Sequence, residues 1–222
     1  MAAPHPAPKA LLFDLDGTLI DSMPLHQSAW GRWHGHQGLP FDEDSFFEST
    51  AGRSSDEILL DLYPAASVAE RAAMGDHKEA LYRDEAMARL ELIAGALDLL
   101  AAARQRGLKL AICTAAPLVN IEIALQRFGL GALVDTLTSP ADGLRGKPHP
   151  DIFEEAARRL GVAPADCLVF EDAPLGIEAA RRAGMCAVAL TTTLPAAAFA
   201  PYPNLIATVE DFTSLDRTLL FV

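Results

Sequence analysis

The sequence predicts an α/β fold in which a doubly wound parallel sheet carries a small, inserted all-helical domain. Short apolar runs alternate with helical patterns along most of the chain, which is typical of a parallel sheet covered by helices. Prolines stand before several helical patterns and glycines follow them, so the helix ends are well marked. By contrast, residues 20–90 contain no strand-like run. These three observations separate a sheet-forming part of the chain from a helical insertion.

Six apolar runs are candidates for the strands. They are residues 10–13, 110–113, 134–138, 168–170, 187–190 and, with a weaker pattern, 205–209. Such short and continuous runs, bounded by polar or turn-forming residues, are typical of strands that are buried on both faces of a sheet.

Three helices between these runs have recognisable ends. We predict that each begins at a proline and ends just before a glycine, in the pairs Pro117 and Gly129, Pro150 and Gly161, and Pro174 and Gly184. Arginines occupy the last turn of the second and third helices, where a cation interacts favourably with the helix dipole. The helices therefore alternate with the predicted strands.

The helical segment interrupts this alternation after the first strand. The second strand is predicted to begin only near residue 109, about 95 residues after the first one ends. We expect a core domain of residues 1–20 and 92–222 and a helical domain of residues 21–91. A length of 222 residues is compatible with two domains of this size. The chain would cross between them at residues 20–22 and 90–95, which we expect to be hinges.

Composition and charge exclude several classes of function. The chain has 18 basic and 30 acidic residues and a net charge of −12, so binding to nucleic acid or to an anionic membrane is not expected. No apolar run reaches the roughly 18 residues that span a bilayer. Residues 1–10 contain three prolines and no apolar stretch, which favours a loose arm over a signal peptide. We expect a cytoplasmic protein.

The cysteines fit the same expectation. Cys113, Cys167 and Cys186 are far apart in the sequence and form no CxxC or Cys/His metal pattern. Their odd number leaves at least one unpaired. We expect all three to be reduced thiols that pack as small apolar side chains.

Acidic pairs follow two of the predicted strands. The first strand continues as FDLDGT, with Asp14, Asp16 and a turn at Gly17, and the fourth continues as VFEDAP, with Glu171 and Asp172. The carboxyl ends of parallel strands meet at one edge of a sheet, so these acids should lie close together. Clustered carboxylates repel one another unless they hold a cation, and Mg²⁺ suits a site made of oxygen ligands. A Ca²⁺ ion or a solvated acidic surface are the alternatives.

Two further polar groups follow the second and third strands. Thr114 comes directly after the second strand, and the N–H of Ala115 near the start of the next helix would complete an anion site. Lys147 lies in the loop GLRGKPHP, whose prolines restrict the backbone around it. Together with the acidic pairs, these groups are the components of phosphoryl transfer through an aspartyl-phosphate. Taken singly, an ordinary strand-end threonine and a surface lysine remain the alternatives.

These motifs resemble those of the haloacid dehalogenase (HAD) superfamily of phosphotransferases. The four superfamily motifs occur in order as DLDGT beginning at Asp14, then Thr114, Lys147 and the pair Glu171-Asp172. The helical insertion and the phrases FDLDGTLIDS, GKPHPDIF and FEDAPLGIEAA resemble the β-phosphoglucomutase-like and sugar-phosphate phosphatase subgroup. The resemblance implies a Rossmann-like core domain with a small helical cap domain.

The resemblance also implies a role for each motif residue. Asp14 would be the nucleophile, and Asp16 would protonate the leaving group and then activate water. Thr114 and Lys147 would bind the phosphoryl oxygens. Mg²⁺ would be held by the Asp14 carboxylate, the Asp16 backbone carbonyl and Asp172, with the preceding glutamate nearby or acting through water.

Several residues of the insertion are candidate substrate contacts. Ser22 and His26 occupy positions that face the catalytic acid in similar proteins, and such a histidine would act on Asp16 as the cap closes. Arg53 and Ser54 lie in the segment AGRSSD, which resembles the one that reads the leaving group. Lys78, four residues before a tyrosine, would direct an ammonium group towards the site. The alternatives are a hydrogen-bonded histidine in the core of the cap, a loop arginine, a helix cap and a packed lysine.

Aromatic residues mark one face of the first inserted helix. Trp30 and Trp33 follow His26 at spacings of four and three residues, which places all three on one helix face. We expect the tryptophans to form the packing core of the cap. His34 and His36 flank a glycine, and we expect them at a solvated helix end.

The sequence therefore predicts a Mg²⁺-dependent phosphatase of a small phosphorylated metabolite, with a sugar or polyol phosphate as the expected partner. A β-phosphoglucomutase-type mutase is the alternative. Similar mutases hold a second phosphate with an arginine in the cap loop and a Ser-Lys-Asn run after the second motif. Ser55 and Ala116-Pro117-Leu118 stand there instead, which favours hydrolysis. A non-catalytic, receiver-like module that binds phosphate and Mg²⁺ is the third alternative. The sequence specifies neither the substrate nor the oligomeric state.

Overall fold

The computed structural model describes residues 7–50 and 53–221, with nothing said of the side chains at positions 44, 47 and 48. Its strands form one six-stranded sheet. They are β1 (Ala10–Phe13), β2 (Lys109–Cys113), β3 (Thr136–Thr138), β4 (Cys167–Glu171), β5 (Cys186–Leu190) and β6 (Leu205–Val209). All neighbours are parallel and the order is β3-β2-β1-β4-β5-β6. The direction of winding changes beside β1, so a ligand site is expected at the carboxyl ends of β1 and its neighbours.

Eight α-helices are found among the described residues. Four lie between β1 and β2: α1 (Met23–Gln37), α2 (Glu43–Thr50), α3 (Ser55–Leu62) and α4 (Val68–Arg89). The others cover the sheet: α5 (Ala96–Gln105), α6 (Leu118–Phe128), α7 (Asp151–Leu160) and α8 (Pro174–Arg182). The predicted doubly wound α/β fold with a helical insertion is therefore confirmed, and each strand begins and ends within two residues of its prediction.

The helix ends differ from the prediction in one detail. Pro174 begins α8 as expected, but Pro117 and Pro150 are N-cap residues, so α6 and α7 begin one residue later. Pro117 has extended backbone angles (φ −64°, ψ 149°) that precede the helix. Gly129 and Gly161 end α6 and α7 in the left-handed conformation, which costs glycine little.

The core is built on both faces of the sheet. Every residue of β1 is fully buried, and alternate side chains of the strand enter two different apolar clusters. Phe13 stacks on Phe170 with ring centroids 4.8 Å apart, in the cluster that includes Leu99 of α5 and Ile121 of α6. The other cluster includes Phe153 of α7. Helices on both faces thus fix the strand ends, and with them the residues that follow.

The inserted helices have a core of their own, which is continuous with the first cluster. Helix α4 packs against α1 and α3. Trp33 is fully buried, and Trp30 contacts it edge-on at 5.5 Å between ring centroids. The tryptophans therefore pack as expected. The prediction for His34 was wrong: it is buried, and its Nδ1 is hydrogen-bonded to the Trp30 carbonyl at 2.8 Å, whereas His36 is exposed. His34 lies four residues after Trp30, on the buried face of α1, whereas residues 35–38 at the end of the helix are exposed.

The two crossings to and from the insertion lie side by side. The Asp21 N–H donates to the Glu91 carbonyl at 2.9 Å, and Ile20 forms an isolated antiparallel bridge with Leu92. This arrangement is compatible with the predicted boundaries, but separate domains and hinge motion remain predictions. Two predicted features lie partly outside the described residues: the amino-terminal arm at residues 1–6, and the loop before α3 at residues 51–52.

Two compositional expectations can be compared with the structure. Cys113 and Cys167 are buried, Cys186 is partly buried, and all three are free thiols, as expected. Burial raises the pKa of Cys113 and that of Cys167 to about 12, so neither is a reactive thiolate at neutral pH. Among the described residues, no helix has both the length and the apolar character needed to cross a membrane.

Candidate active site

The acidic residues after β1 and β4 lie together at the carboxyl edge of the sheet. In the parallel register Phe13 pairs with Phe170, and the N–H of Asp14 donates to the Phe170 carbonyl at 3.0 Å. Asp14, Glu171 and Asp172 are buried, and one carboxylate oxygen from each lies within 4.8 Å of the others. The expected meeting of acidic side chains from two strands is therefore present.

Lys147 is the cation that lies between these acids. Its side chain is buried, and its Nζ atom donates to Asp14 Oδ1 and to Glu171 Oε1, both at 2.5 Å. Burial lowers the pKa of Lys147, but the two carboxylates outweigh this effect and hold the pKa well above its usual value. A buried carboxylate requires such a partner. The surface-lysine alternative is therefore wrong.

Lys147 does not fully neutralise the acidic cluster. Burial raises the pKa of Asp14 well above its usual value. Lys147 opposes that rise, and Glu171 and Asp172 add to it. Burial, together with the charge of Glu171, raises the pKa of Asp172 to about 7. The cluster thus has a deficit of positive charge at the place where the two strand ends meet.

The donor set of this cluster fits a divalent cation such as Mg²⁺, which prefers carboxylate and carbonyl oxygens. The converging carboxylates are those of Asp14, Glu171 and Asp172. Both oxygens of Asp172 accept hydroxyl hydrogen bonds, one from Thr18 at 3.0 Å and one from Thr193. Gly176 of α8 lies so close to Glu171 that an added Cβ would overlap its carboxylate. These neighbours orient the oxygens, and the sequence analysis had not identified Thr18, Thr193 or Gly176.

Thr114 faces the same cavity from the end of β2. It is buried, and its Oγ1 accepts the Ala116 N–H at 3.0 Å. Because this bond uses a lone pair, the hydroxyl hydrogen remains available to donate to a ligand oxygen. Ala115 lies beside it in the cavity wall. The structure thus places the hydroxyl of Thr114 and a short stretch of backbone ahead of α6 in the cavity, and binding of an anion there remains a prediction.

Asp16 is connected to the inserted helices by a chain of polar contacts. The Ser22 hydroxyl donates to Asp16 Oδ1 at 2.6 Å, and His26 Nε2 lies 3.4 Å from the same oxygen. Lys78 Nζ lies 2.8 Å from His26 Nδ1. Since an ammonium group only donates, Nδ1 accepts here and Nε2 carries the hydrogen that faces Asp16. Burial raises the pKa of Asp16, but His26 and Ser22 outweigh it and lower the pKa below its usual value.

Lys78 is itself held by Glu79, a residue that the sequence analysis did not identify. Its Nζ donates to Glu79 Oε1 at 2.9 Å, and the same oxygen accepts the Ser55 hydroxyl at 2.6 Å. Asn120 at the start of α6 donates to Glu79 Oε2 at 2.7 Å. The ring of Tyr82 stacks on His26 with centroids 4.0 Å apart. The acid next to Lys78 was the one sequence signal for Glu79, and nothing local indicated Asn120.

Arg53 and Ser54 are both close to the cavity, but each is engaged within the insertion. Ser54 is the N-cap of α3, and its hydroxyl and N–H both contact Glu57 in a capping box. Arg53 forms an ion pair with Asp61 at 2.8 Å and donates to the Glu57 carbonyl at 2.9 Å. The helix-cap alternative for Ser54 is thus confirmed, while a substrate contact of either residue remains a prediction.

Nearly all predicted site residues line one cavity of about 300 Å³ between the sheet edge and the inserted helices. They are Asp14, Asp16, His26, Arg53, Ser54, Lys78, Thr114, Ala115, Lys147, Glu171 and Asp172. Ser22 does not line this cavity. It is completely buried, and it contacts Asp16 through its hydroxyl. The volume is at the lower end of the ~300–1,000 Å³ range of small-molecule sites.

The fold is that of a doubly wound α/β protein, and its cavity, which has the size of a small-molecule site, lies at the topological switch point. Residues 8–184 match the family model for haloacid dehalogenase-like hydrolases. The chain is 39% identical over 202 residues to a validoxylamine A 7'-phosphate phosphatase of Streptomyces hygroscopicus subsp. limoneus, covering 86% of this chain and 90% of the relative. It is 32% identical over 188 residues to a fructose-1-phosphate phosphatase of Escherichia coli, with coverages of 80% and 94%.

A mutase and a solved structure are also similar to this chain. A β-phosphoglucomutase of Bacillus subtilis is 30% identical over 188 residues, which cover 81% of this chain and 82% of the mutase. The crystal structure of a family IA, variant 3 HAD hydrolase from Entamoeba histolytica superposes with a TM-score of 0.86 at 27% identity, covering 96% of this chain and 97% of the other.

The chain belongs to the haloacid dehalogenase-like hydrolase family. Within it, the phosphatase relatives identify the chain as a phosphoric monoester hydrolase.

Proposed function

We propose that the protein hydrolyses the phosphate ester of a small sugar or polyol through an aspartyl-phosphate at Asp14, with Mg²⁺ as cofactor. The contact of Asp14 with Lys147 at 2.5 Å carries this proposal, because it places a carboxylate nucleophile beside a buried cation. A nucleophile and a fixed positive charge at one position are what transfer of a dianionic phosphoryl group needs.

The proposed reaction has two steps, and residues of the cavity act in both. In the first, an Asp14 oxygen attacks phosphorus, the bond to the leaving oxygen breaks, and Asp16 gives that oxygen a proton. In the second, water attacks the same phosphorus, Asp16 accepts a proton from the water, and the bond to Asp14 breaks. Lys147 and the Thr114 hydroxyl hold the phosphoryl oxygens in both steps. The products are an alcohol and inorganic phosphate.

The contacts of Asp16 suit the second step, in which its carboxylate must be ionised. The contacts with Ser22 and His26 favour its ionised form, which is the form that accepts a proton from water. The first step needs a protonated Asp16, so these contacts must loosen when a substrate enters. His26 belongs to α1, and movement of the inserted helices would therefore control the protonation of Asp16.

The metal would be held by Asp14, Asp172 and the backbone carbonyl of Asp16, with Glu171 nearby or acting through water. When bound, it supplies positive charge that neutralises the phosphoryl oxygens. The acidic cluster that Lys147 leaves under-neutralised supports this assignment.

Two observations support a sugar or polyol as the leaving group. The phosphatase relatives act on validoxylamine A 7'-phosphate and on fructose 1-phosphate, as their names state. The cavity of about 300 Å³ suits a compact polyhydroxylated compound. A mutase remains the alternative because a β-phosphoglucomutase is among the relatives. The segment from Ala116 to Leu118 offers no side-chain donor for a second phosphate, which favours hydrolysis. A non-catalytic module is disfavoured by membership of a hydrolase family.

The test is phosphate release from a panel of phosphorylated sugars and polyols, with Mg²⁺ or with EDTA, for the wild type and Asp14→Asn. We expect turnover with Mg²⁺ and a loss of at least about 1,000-fold in the variant, since an amide cannot form the acyl-phosphate. Activity that survives Asp14→Asn would contradict the proposed mechanism. Formation of glucose 6-phosphate from β-glucose 1-phosphate with a bisphosphate primer, without phosphate release, would identify a mutase.

A further inference from the structure

We propose that one wall of the cavity selects among leaving groups by their charge. This wall, formed by residues of the inserted helices that include Arg53, Arg71, Asp76 and Lys78, lies opposite the acidic cluster. It favours a leaving group with a protonated amine, accepts a neutral polyol, and disfavours a leaving group with a carboxylate or a second phosphate. The inference rests on the proposed function, since it concerns the part of the substrate that is not transferred.

The two arginines of this wall are already paired. Arg53 forms its ion pair with Asp61 at 2.8 Å, and Arg71 forms one with Asp56 at 3.0 Å. Each arginine also donates to a backbone carbonyl of the insertion. A paired guanidinium can still donate a hydrogen bond to a hydroxyl oxygen, but its partner cancels most of the attraction for an anion.

The ammonium of Lys78 is compensated in the same way. It is buried, with Glu79 Oε1 at 2.9 Å and His26 Nδ1 at 2.8 Å, and it lies over the ring of Trp30 at 5.2 Å from the centroid. Two of its three hydrogens are therefore used, which leaves one for a substrate hydroxyl. Lys78 is thus a hydrogen-bond donor within a neutral pair.

The N-terminus of α3 is the remaining source of positive potential on this wall. Its free N–H groups would attract an anion. Glu57, however, accepts both the N–H and the hydroxyl of Ser54. The first turn of α3 also carries Asp56. This helix end is therefore already occupied by carboxylates of the chain itself.

Asp76 is the charged residue of this wall that has no partner among the described side chains. It lines the cavity from α4, two residues before Lys78, and it is exposed. Among the residues whose side chains the structure describes, the Asp76 carboxylate has no hydrogen-bond or ion-pair partner. Because every cation of this wall is paired and Asp76 is not, the wall presents a net negative charge to the leaving group. Repulsion of a like charge and attraction of a cation then separate substrates that have the same shape.

The experiment compares glucosamine 6-phosphate, glucose 6-phosphate, N-acetylglucosamine 6-phosphate and 6-phosphogluconate at low ionic strength with Mg²⁺. The first is a cation at the amine, the next two are neutral there, and the last carries a carboxylate. Each compound is also measured as an inhibitor of p-nitrophenyl phosphate hydrolysis, so that the ranking does not depend on its own turnover. We expect binding and kcat/KM to fall from amine to neutral to carboxylate, with about tenfold or more between the extremes.

Asp76→Asn should compress this range to about threefold or less, whereas Asp84→Asn should leave it unchanged. Asp84 is an exposed acid of the same helix outside the cavity wall, so it matches the loss of overall charge. An equal response to all four compounds, or a range that Asp76→Asn does not alter, would overturn the inference while the phosphatase activity stands. Absence of Mg²⁺-dependent hydrolysis of every compound, p-nitrophenyl phosphate included, would overturn the proposed function and this inference with it.

Discussion

Lys147 shows how one residue connects stability to chemistry. The same ammonium that would hold a phosphoryl oxygen already neutralises two buried acids, Asp14 and Glu171. Removing one partner from a buried ionic group leaves the other charges without compensation, and this is more costly than never having formed the group. The residue that the proposed reaction needs is therefore also one that the folded chain needs.

We therefore expect Lys147→Met to be destabilised by about 3–5 kcal/mol in EDTA, as measured by urea unfolding. Added Mg²⁺ should recover part of this loss, since a cation bound by Asp14 and Asp172 replaces some of the missing charge. The control is Lys9→Met, which removes an exposed lysine paired with Asp166 and should have little effect. Equal stability of Lys147→Met and wild type in EDTA would show that the acids tolerate each other without the lysine.

Helix α4 illustrates the element scale, because one helix supplies both packing and the cavity wall. Tyr82 is buried against α1, while Asp76 and Lys78 face the cavity. Gly75 lies in the same wall in the middle of the helix, where glycine is less favourable than alanine. An added Cβ would meet the Leu59 side chain at 3.6 Å, which is ordinary contact. Packing therefore does not require a glycine at position 75. The missing side chain leaves additional space in the cavity.

Gly75→Ala should accordingly raise the free energy of unfolding by about 0.5–1 kcal/mol while increasing KM for the preferred substrate. The stability follows from thermal unfolding, and KM from steady-state phosphate release. Gly35→Ala is the matched control: Gly35 belongs to α1, an added Cβ there meets nothing within 4 Å, and it does not line the cavity. It should change stability without changing KM. An unaltered KM in Gly75→Ala would show that the substrate does not use this part of the wall.

At the scale of the whole molecule, Glu79 joins the insertion to the sheet-forming part of the chain. Its carboxylate contacts Lys78 on α4, Ser55 at the start of α3 and Asn120 of α6. Burial raises the pKa of Glu79, but the charge of Lys78 and the hydrogen bonds from Ser55 and Lys78 outweigh it and lower the pKa to about 2. The ionised carboxylate therefore stabilises the contact between α4 and α6.

This pKa predicts an acid-sensitive stability. In the unfolded chain Glu79 returns to an ordinary pKa near 4.5, so below that pH the unfolded state binds the proton first. The contribution of Glu79, up to about 3 kcal/mol, is complete above pH 4.5 and is lost as the pH falls towards 2. In urea unfolding, the free energy of unfolding should fall more steeply between pH 5 and pH 3 for the wild type than for Glu79→Gln. The difference between the two declines should not exceed about 3 kcal/mol. Glu91→Gln, at an exposed glutamate, should decline like the wild type.

The sequence alone determined the sheet, the insertion and the residues at the strand ends. These features depend on local patterns: continuous apolar runs, prolines and glycines at helix ends, and acids directly after β1 and β4. Since parallel strands align their carboxyl ends, the meeting of Asp14 with Glu171 and Asp172 followed from strand assignments alone.

Only the tertiary structure decided which charges are paired and which remain. Lys147 contacts Asp14 across 133 residues of sequence, and Asn120 contacts Glu79 across 41. His34 was expected in solvent and is buried, because the packing of α1 against its neighbours places it there. Hydrogen-bond partners depend on distances of about 3 Å between elements that are remote in the chain. Local patterns predict the elements, but the packing between elements sets those distances, and with them the charge that the cavity presents to a substrate.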